Sequence, residues 1–376
     1  MQEAGPMNNG TTRFLGLDVH KATIAVAIAD PGAQPTLYGT IANDPSAVRK
    51  LVGNLGRETK LVAAYEAGPT GYALHRQLTG LGVECQVVAP ALIPRRAGDR
   101  VKTDARDAIT LARLLRSGDL TPVWVPGEED EALRDLVRAR YDAKADVLRA
   151  KHRLSKFLLR RGVQAPHGVK AWTLKYQAWL SQLTFPHAPA QVVFDDYRAT
   201  VRAADERIRR LESDLHRCAA HSTQIGVITA LQALRGIGPL SAVTIVAEVG
   251  DLRRFPNAPA FMSFTGLTSS EYSSGKSQHR GAITHTGNAN IRHVLVQAAH
   301  NARHAPAVTW ERRQRQVGLP PDLIELGWKS QIRLHQRYRH LVGRLGRPKA
   351  VTAVAREFAG FVWAVGQRKN QEVATA

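Results

Sequence analysis

Cysteine is nearly absent: Cys85 and Cys218 are the two in 376 residues. Two thiols exclude a disulfide framework and a cysteine-based zinc site, and suit buried thiols in a reducing compartment. No apolar run reaches the length that spans a bilayer. The first residues, MQEAGPMNNGTT, are polar and lack the apolar core of a secretory signal. A soluble, cytoplasmic protein is expected. Acidic residues are also short: 32 Asp and Glu face 52 Lys and Arg, a formal net charge of +20. Such an excess draws polyanions, and nucleic acid is the commonest one, so a nucleoid-associated role fits. Hydrophobic residues, at 44%, are enough for real cores. That sets the chain apart from ribosomal and chromatin proteins, which share the charge but are usually smaller. The length predicts two or three domains.

What is present falls into three textures. From Arg13 to about Leu120, strand and helix patterns alternate. RFLGLDV and ATIAVAIAD read as two strands joined by a tight turn at His20–Lys21, and LYGTIA as a third. Pro45–Leu55 has helical spacing. LVAAYEA reads as a buried strand, GYALHRQLTGLG as a helix and ECQVVAP as another strand. TDARDAITLARLLRSG reads as a helix with Thr103 as its N-cap. Strand hairpins followed by βαβα units predict an α/β domain with a mixed sheet over 1–125. The proline-bearing TPVWVPGEED reads as a linker. Residues 131–161, poor in glycine and proline, read as one long helix. A later helix sets Val201, Ala204, Ile208, Leu211, Leu215 and Cys218 at spacings of three and four, a coiled-coil seam. These form a helical middle region, 126–222. A mostly helical C-terminal domain, 223–376, follows. In it LQALRGIGPLSAVTIVAEVG reads as helix, Gly-x-Gly turn, helix. SSEYSSGKSQHRG, 269–281, has loop composition, and helices are expected from Asn288 to Ala302 and over 323–366.

Four carboxylates stand out. Asp18 ends the first apolar strand and Glu66 ends another. A charge at the end of a buried strand must reach solvent or have a partner. Asp104 and Asp107, three apart on one helix, share a face. Such groups can converge, and converging hard oxygen ligands are what Mg²⁺ takes. Two ions roughly 4 Å apart stabilise both the attacking and the leaving oxygens of phosphoryl transfer. Taken singly, strand-end carboxylates are common, and an acidic pair at a helix start favours the macrodipole. Their order, Asp, Glu, Asp, Asp, resembles the DEDD set of the RuvC-like branch of the RNase H-like nuclease fold.

Basic features accompany them. The helix 131–161 carries ten Lys or Arg between Arg134 and Arg161 against three Asp. Leu133, Val137, Tyr141, Leu148, Phe157 and Leu158 give it a packing face. The other face is expected to present cations to a nucleic-acid backbone in a salt-sensitive, sequence-independent way. From Lys329 to Lys349 there are seven more cations, with no acid between Leu326 and Arg356. LRGIGPLSA resembles a helix-hairpin-helix turn. Gly236 and Gly238 would let backbone N–H groups approach a phosphate at a helix start. A tight αα turn without a ligand explains them equally well.

The C-terminal motifs make the resemblance specific. GLDVHK, YEAGPTGY, KTDARDA, LRGIGPLSA, FTGLTSSEYSSG, RGAITHTGNANIR and AREFAGFVWA occur in order along nearly the whole chain. Together they resemble the IS110 family of insertion-sequence transposases, DEDD recombinases related to the Piv invertase. The resemblance implies Mg²⁺ held by Asp18, Glu66, Asp104 and Asp107. It implies a nucleophilic serine, Ser274 first and Ser273 second, that forms a covalent phosphoserine with DNA. Gly275 would allow close approach of the backbone. Lys276, Arg280, Asn288 and Arg292 would contact nucleic acid, with Asn288 shaping the loop. Target and donor DNA, a structured noncoding guide RNA (bridge RNA) and a homo-oligomer, dimer or tetramer, are the implied partners. The heptad seam could pair protomers. Two positions depart from the family pattern: Ser269 stands where proline is common and His285 where lysine is. A junction nuclease using the four carboxylates and water is the rival reading, and a nucleic-acid-binding protein with a decayed site is a second.

Overall fold

A computed structural model describes residues 12–57, 59–94, 103–274 and 277–373. The chain divides into two compact units, 1–125 and 126–376. Among the described residues no helix is long and apolar enough to cross a membrane.

The first unit holds β1 (Thr12–Val19), β2 (Thr23–Ala29), β3 (Thr36–Ala42), α1 (Pro45–Leu55), β4 (Lys60–Glu66), α2 (Ala73–Gly80), β5 (Glu84–Val88) and α3 (Asp104–Ser117). The strands form one sheet in the order β3-β2-β1-β4-β5. β1, β2 and β3 are antiparallel, while β1 with β4 and β4 with β5 are parallel. This is the mixed sheet that the alternating pattern predicts. One face carries Leu15, Leu17, Val26 and Tyr65 against Val48, Leu51, Leu74 and Leu78 of α1 and α2. The other is lined with small residues, Ala25, Ala27, Ala29 and Ala64, and receives Ala108, Leu111, Ala112 and Leu115 of α3. That helix lies so close that a Cβ added to Gly16 would sit 2.1 Å from the Ala108 carbonyl oxygen and 2.3 Å from the Ala112 nitrogen. Thr103 caps α3, accepting from the Arg106 amide, and Gly118 ends it in the left-handed region. The segment read as a linker begins inside this unit: the Val123 amide donates to the Val87 carbonyl at 2.7 Å, and Val123 and Val125 pack on the sheet's core.

The second unit comprises α4 (Glu128–Arg160), α5 (Leu174–Gln182), α6 (Ala188–Ala220), α7 (Ile225–Leu231), α8 (Pro239–Val249), α9 (Ala258–Phe264), β6 (Ser269–Ser274), β7 (Ser277–Ile283), α10 (Ala289–Ala299), α11 (Trp310–Gln316), α12 (Pro321–Leu345) and α13 (Arg347–Val373). α4 and α6 run antiparallel, with Arg140 on Glu212, Lys151 on Asp205 and Phe157 beside Phe194. The apolar seam of α6 therefore meets a helix of its own chain. Val201 joins Ala150 and Leu154, and Leu215 joins Leu133 and Val137. Two expectations fail here. Cys218 is exposed and Ala219 takes the buried place, because a straight 3.6-residue helix drifts against a heptad. Leu148 is 55% exposed, off the stripe of Ala143, Ala150 and Leu154. α13 threads the C-terminal core, with Val354, Ala355, Phe358, Ala359, Val362 and Val365 all buried.

The basic face of α4 is smaller than its composition suggests. Arg134, Arg138, Arg140, Arg149 and Lys151 are engaged within the chain, against Ala247, Glu248, Glu212, Asp146 and Asp205 respectively. Lys144, Arg153, Lys156, Arg160 and Arg161 remain on the exposed surface. The segment read as a loop, 269–281, is instead an antiparallel ribbon of β6 and β7. Its serines and glycines carry no apolar alternation, so no strand signal was available. Backbone pairing and the cross-strand Glu271–Arg280 pair hold it.

The Gly16 contact is testable by denaturation. Gly16→Ala pushes a methyl group into helix backbone, which cannot rotate aside, and should cost about 3 kcal/mol or more. Gly53→Ala, on α1 where a Cβ meets open space, should instead gain about 0.5–1 kcal/mol. Equal effects at the two positions would mean that α3 does not rest on β1 as described.

Candidate functional site

Asp18 and Glu66 close two parallel neighbours, with Leu17 opposite Tyr65 one position earlier. The register places the two carboxylates side by side at the carboxyl edge of the sheet. Side chains alternate along a strand, so Asp18 and Glu66 belong to the α3 face while Leu17 and Tyr65 belong to the other. α3 runs back along β1 from this edge. Ala108 and Ala112 sit over Gly16, and Asp104, one turn earlier, reaches the end of the strand. There His20 Nε2 lies 3.4 Å from Asp18 Oδ2 and 3.4 Å from Asp104 Oδ2. Asp18 is largely buried, at 17% side-chain exposure, and Asp104 is open, at 66%. Among the described residues, Asp18, His20 and Asp104 offer ligand atoms that all lie within 4.8 Å of one another. Asp107, half-buried on the same first turn of α3, and Glu66, half-buried at the strand end, flank this group without joining it.

The electrostatics are those of a crowded acidic cluster. Burial pushes the Asp18 carboxyl above its ordinary value; the charges of Asp104 and Asp107 add to that, and His20 opposes it. Carboxylate oxygens with one imidazole form a donor set that a divalent cation fits, and a cation would relieve the repulsion. His20 is the member that sequence reasoning left in a turn. It lies just past the end of β1, where strand alternation gives no signal, and its place shows only once α3 is laid over the strand.

The second unit displays the serines. Ser273 and Ser274 lie at the tip end of β6, both exposed. Ser273 Oγ donates to Glu271 Oε1 at 2.8 Å, and Ser274 pairs across the ribbon with Ser277. Gly275 and Lys276 lie outside the described residues. Arg280 Nε is 3.5 Å from Glu271 Oε2, so this expected phosphate clamp already has an exposed acidic neighbour.

The base of the ribbon is tightly fixed. Gly266 and Gly287 adopt φ of 66° and 87°. A Cβ on Gly266 would lie 2.1 Å from the Thr286 carbonyl oxygen, and one on Gly287 1.9 Å from that of Phe264. The two loops thus touch backbone to backbone. Arg292 Nη1 donates to the Thr265 carbonyl at 3.1 Å. Asn288 Oδ1 caps α10 by accepting from Asn290 and Ile291 amides, and its Nδ2 donates to Glu248 Oε2 at 2.7 Å. Asn288 and Arg292, expected at the nucleic acid, are placed here as braces of the loop. Glu248, absent from the sequence reading, is their anchor. Its side chain is fully buried and accepts from Arg138, Asn288 and Asn290. Burial works against its charge, yet the hydrogen bonds from Arg138, Asn290 and Asn288, with the charge of Arg138, hold its carboxyl below the usual range. Gly236, at φ 95°, packs against α10, where a Cβ would come within 2.7 Å of the Ala298 carbonyl oxygen. Packing thus accounts for Gly236, while Gly238 starts α8 without a side-chain cap.

Comparison with known proteins adds to this geometry. A family profile described as "Transposase" and named for DEDD and IS110 matches residues 15–161. Another, described as "Transposase IS116/IS110/IS902 family", matches residues 228–314. The Sinorhizobium fredii protein y4qE, described as a transposase, is 40% identical over 362 residues, covering 95% of this chain and 89% of its own. The transposase for insertion sequence element IS1533 of Leptospira borgpetersenii is 32% identical over 332 residues, with coverage of 87% and 96%. The 43.6 kDa protein of insertion element IS110 from Streptomyces coelicolor is 26% identical over 364 residues.

The Glu248 anchor predicts a pH effect. A depressed carboxyl contributes stability that is complete above the ordinary glutamate range and is lost as pH falls through the folded-state value. Glu248→Gln should flatten the acid limb of stability against pH. Glu248→Ala should cost about 3 kcal/mol, the low end for a broken buried pair because Arg138 is itself half exposed. Denaturant titrations from neutral to acid pH measure both, and an unchanged acid limb in Glu248→Gln would remove Glu248 from this role.

Proposed function

The chain belongs to the IS110 family of insertion-sequence transposases, and from that footing we propose how it cuts and rejoins DNA. The first unit acts as a RuvC-like nuclease domain of RNase H-like architecture. Asp18, Glu66, Asp104 and Asp107 hold Mg²⁺ there, with His20 at its edge. Bound Mg²⁺ would make the scissile phosphorus more electrophilic and neutralise charge that develops on its oxygens. The convergence of α3 on the end of β1, which brings Asp104 to Asp18, is the observation that carries this reading.

Ser274 of the ribbon supplies the nucleophile, with Ser273 as second choice. Its Oγ forms a bond to phosphorus as the phosphorus–oxygen bond of the DNA strand breaks; the serine proton is lost and the departing oxygen is left as a hydroxyl. The phosphodiester energy is conserved in the serine ester, so strands can be exchanged and rejoined without ATP. A free serine is a weak nucleophile and needs activation. Ser273 is hydrogen-bonded to Glu271, whereas the ribbon leaves Ser274 at the exposed tip. Strand exchange between two duplexes needs several active sites, so a dimer or tetramer follows. A structured noncoding RNA selects target and donor DNA by pairing, and the excess of cations supports binding to it. The protein then works in the cytoplasm on nucleoid DNA.

A covalent trap tests this. Protein, flanking RNA and Mg²⁺ meet a nicked DNA whose cleavage releases a short fragment, and digested products are read by mass spectrometry. A DNA adduct on Ser274 is expected, and it should vanish without Mg²⁺ and in Asp104→Ala. An adduct on Ser273 would keep the chemistry and move the residue. Cleavage without any adduct would make water the nucleophile and the protein a junction nuclease.

A further inference from the structure

A cleft of about 700 Å³ opens in the second unit between the 3-10 turn His300–Arg303, the residue after it, α12 and the start of α13. His300, Arg303, His304, Tyr338, Arg347 and Thr352 line it. No carboxylate lines it, and among the described residues neither Arg303 nor Arg347 has an acidic partner. Glu357, the acid further along α13, is taken by Arg333 and Arg337 at 2.6 and 3.6 Å. The absence of acids between Leu326 and Arg356 therefore produces a local cation excess with a concave shape.

The walls are held in place. His335 Nδ1 meets the Ala302 carbonyl at 2.8 Å, tying the turn to α12. Arg235 Nη1 donates to the Ala305 carbonyl at 2.7 Å and lies 3.3 Å from that of His304. Arg303 Nε donates to His304 Nε2 at 2.9 Å. That bond steers the guanidinium and leaves its Nη groups to a ligand. Tyr338 packs partly against the core, so its ring is a supported wall.

Cations gathered without counter-charge in a recess call for an anion, and an aromatic wall beside them calls for a π face. The volume lies within the range of small-ligand sites. A duplex carries its phosphates on a stiff rod with its bases stacked inside, and cannot place both in one recess. We propose that this cleft holds one unpaired nucleotide, its phosphate against Arg303 and Arg347 and its base against Tyr338. The proposal rests on the reading of this chain as an enzyme of nucleic acid and adds where an unpaired segment is gripped. RNA and opened DNA both present this chemistry.

Fluorescence anisotropy with the full chain tests it, using a short oligouridylate, an oligothymidylate and a DNA duplex of equal length. The cleft pair Arg303→Gln/Arg347→Gln is compared with Arg339→Gln/Arg344→Gln, exposed on α12 and equal in charge change. The cleft pair should weaken single-strand binding about tenfold beyond the control pair, and lower the salt slope by about 0.7 for the one lost phosphate contact. Duplex binding should fall equally for both pairs. Tyr338→Phe should retain single-strand affinity and Tyr338→Leu should lose about tenfold, with thermal unfolding showing that each variant folds. Tighter binding of oligouridylate would assign RNA, and of oligothymidylate opened DNA. Equal losses for the two arginine pairs on every probe would overturn the cleft while leaving the transposase reading, which the covalent trap judges separately.

Discussion

The N-terminal site depends on one missing methyl group. Because Gly16 has no Cβ, the backbone of α3 rests directly on β1. The alanines on both surfaces, Ala25, Ala27 and Ala64 below and Ala108 and Ala112 above, extend the same closeness along the face. Asp104 lies one helical turn before Ala108 and so arrives at the strand end where Asp18 is. Helix, strand end and turn then bring Asp18, His20 and Asp104 together. A larger residue at position 16 would lift the helix and part the two carboxylates. The carboxyl edge of parallel strands is a place where α/β sheets commonly keep their ligands, and here it is also where burial and like charge raise the Asp18 pKa. The repulsion is local, and the apolar packing a few residues away offsets it.

The ribbon follows the same logic with different parts. A two-stranded ribbon is marginal alone, and every residue of β6 is exposed. Its order comes from its base. Gly266 and Gly287 let two loops meet, Arg292 clasps one of them, and Asn288 links the other to buried Glu248. Glu248 in turn is bonded to Arg138 of α4, so the base of the ribbon is coupled to the long helical hairpin. The serine tip is thus presented by a rigid foundation and has little packing of its own. Among the described residues no imidazole hydrogen-bonds Ser273 or Ser274. Activation of a serine here has to come from what the ribbon is brought against.

This division explains what was legible in the sequence. Elements set by local periodicity were readable: the mixed sheet, Thr103 as the cap of α3, the long α4, and the turn between α7 and α8. Asp18 and Glu66 stood out because apolar strands end on them, and Asp104 and Asp107 because they share the first turn of α3. His20 was not, because its role appears only when α3 is laid over β1. Gly16 was hidden for the same reason, since a glycine inside an apolar run has no local signature of what approaches it. The ribbon was missed because its pairing rests on backbone bonds and one ion pair. Glu248 sits 40 positions from Asn288 and 110 from Arg138; no periodicity joins residues so far apart. Asn288 and Arg292 were recognisable as special, but the hydrogen bonds they make to Glu248 and to the Thr265 carbonyl could be seen only in the folded loop.

The net charge of +20 also divides once the partners are seen. On α4 half of the cations are matched within the chain by Asp146, Asp205, Glu212 and Glu248; Arg138, Arg140 and Lys151 join α4 to other helices, and Arg149 pairs within α4. A paired cation contributes little to polyanion binding, because drawing it to a phosphate breaks a bond already made. The exposed remainder of α4 can attract nucleic acid only as a diffuse field. Around the turn at His300–Arg303 and the start of α13 the arrangement is opposite: no acid lines the recess, and two arginines keep their charge unmatched among the described residues. Charge that the fold leaves unneutralised in a concave place stays open to an anionic ligand, and both arginines there are exposed. The distribution of acids, more than the number of bases, therefore decides which basic surfaces of this protein hold it together and which are kept for a partner.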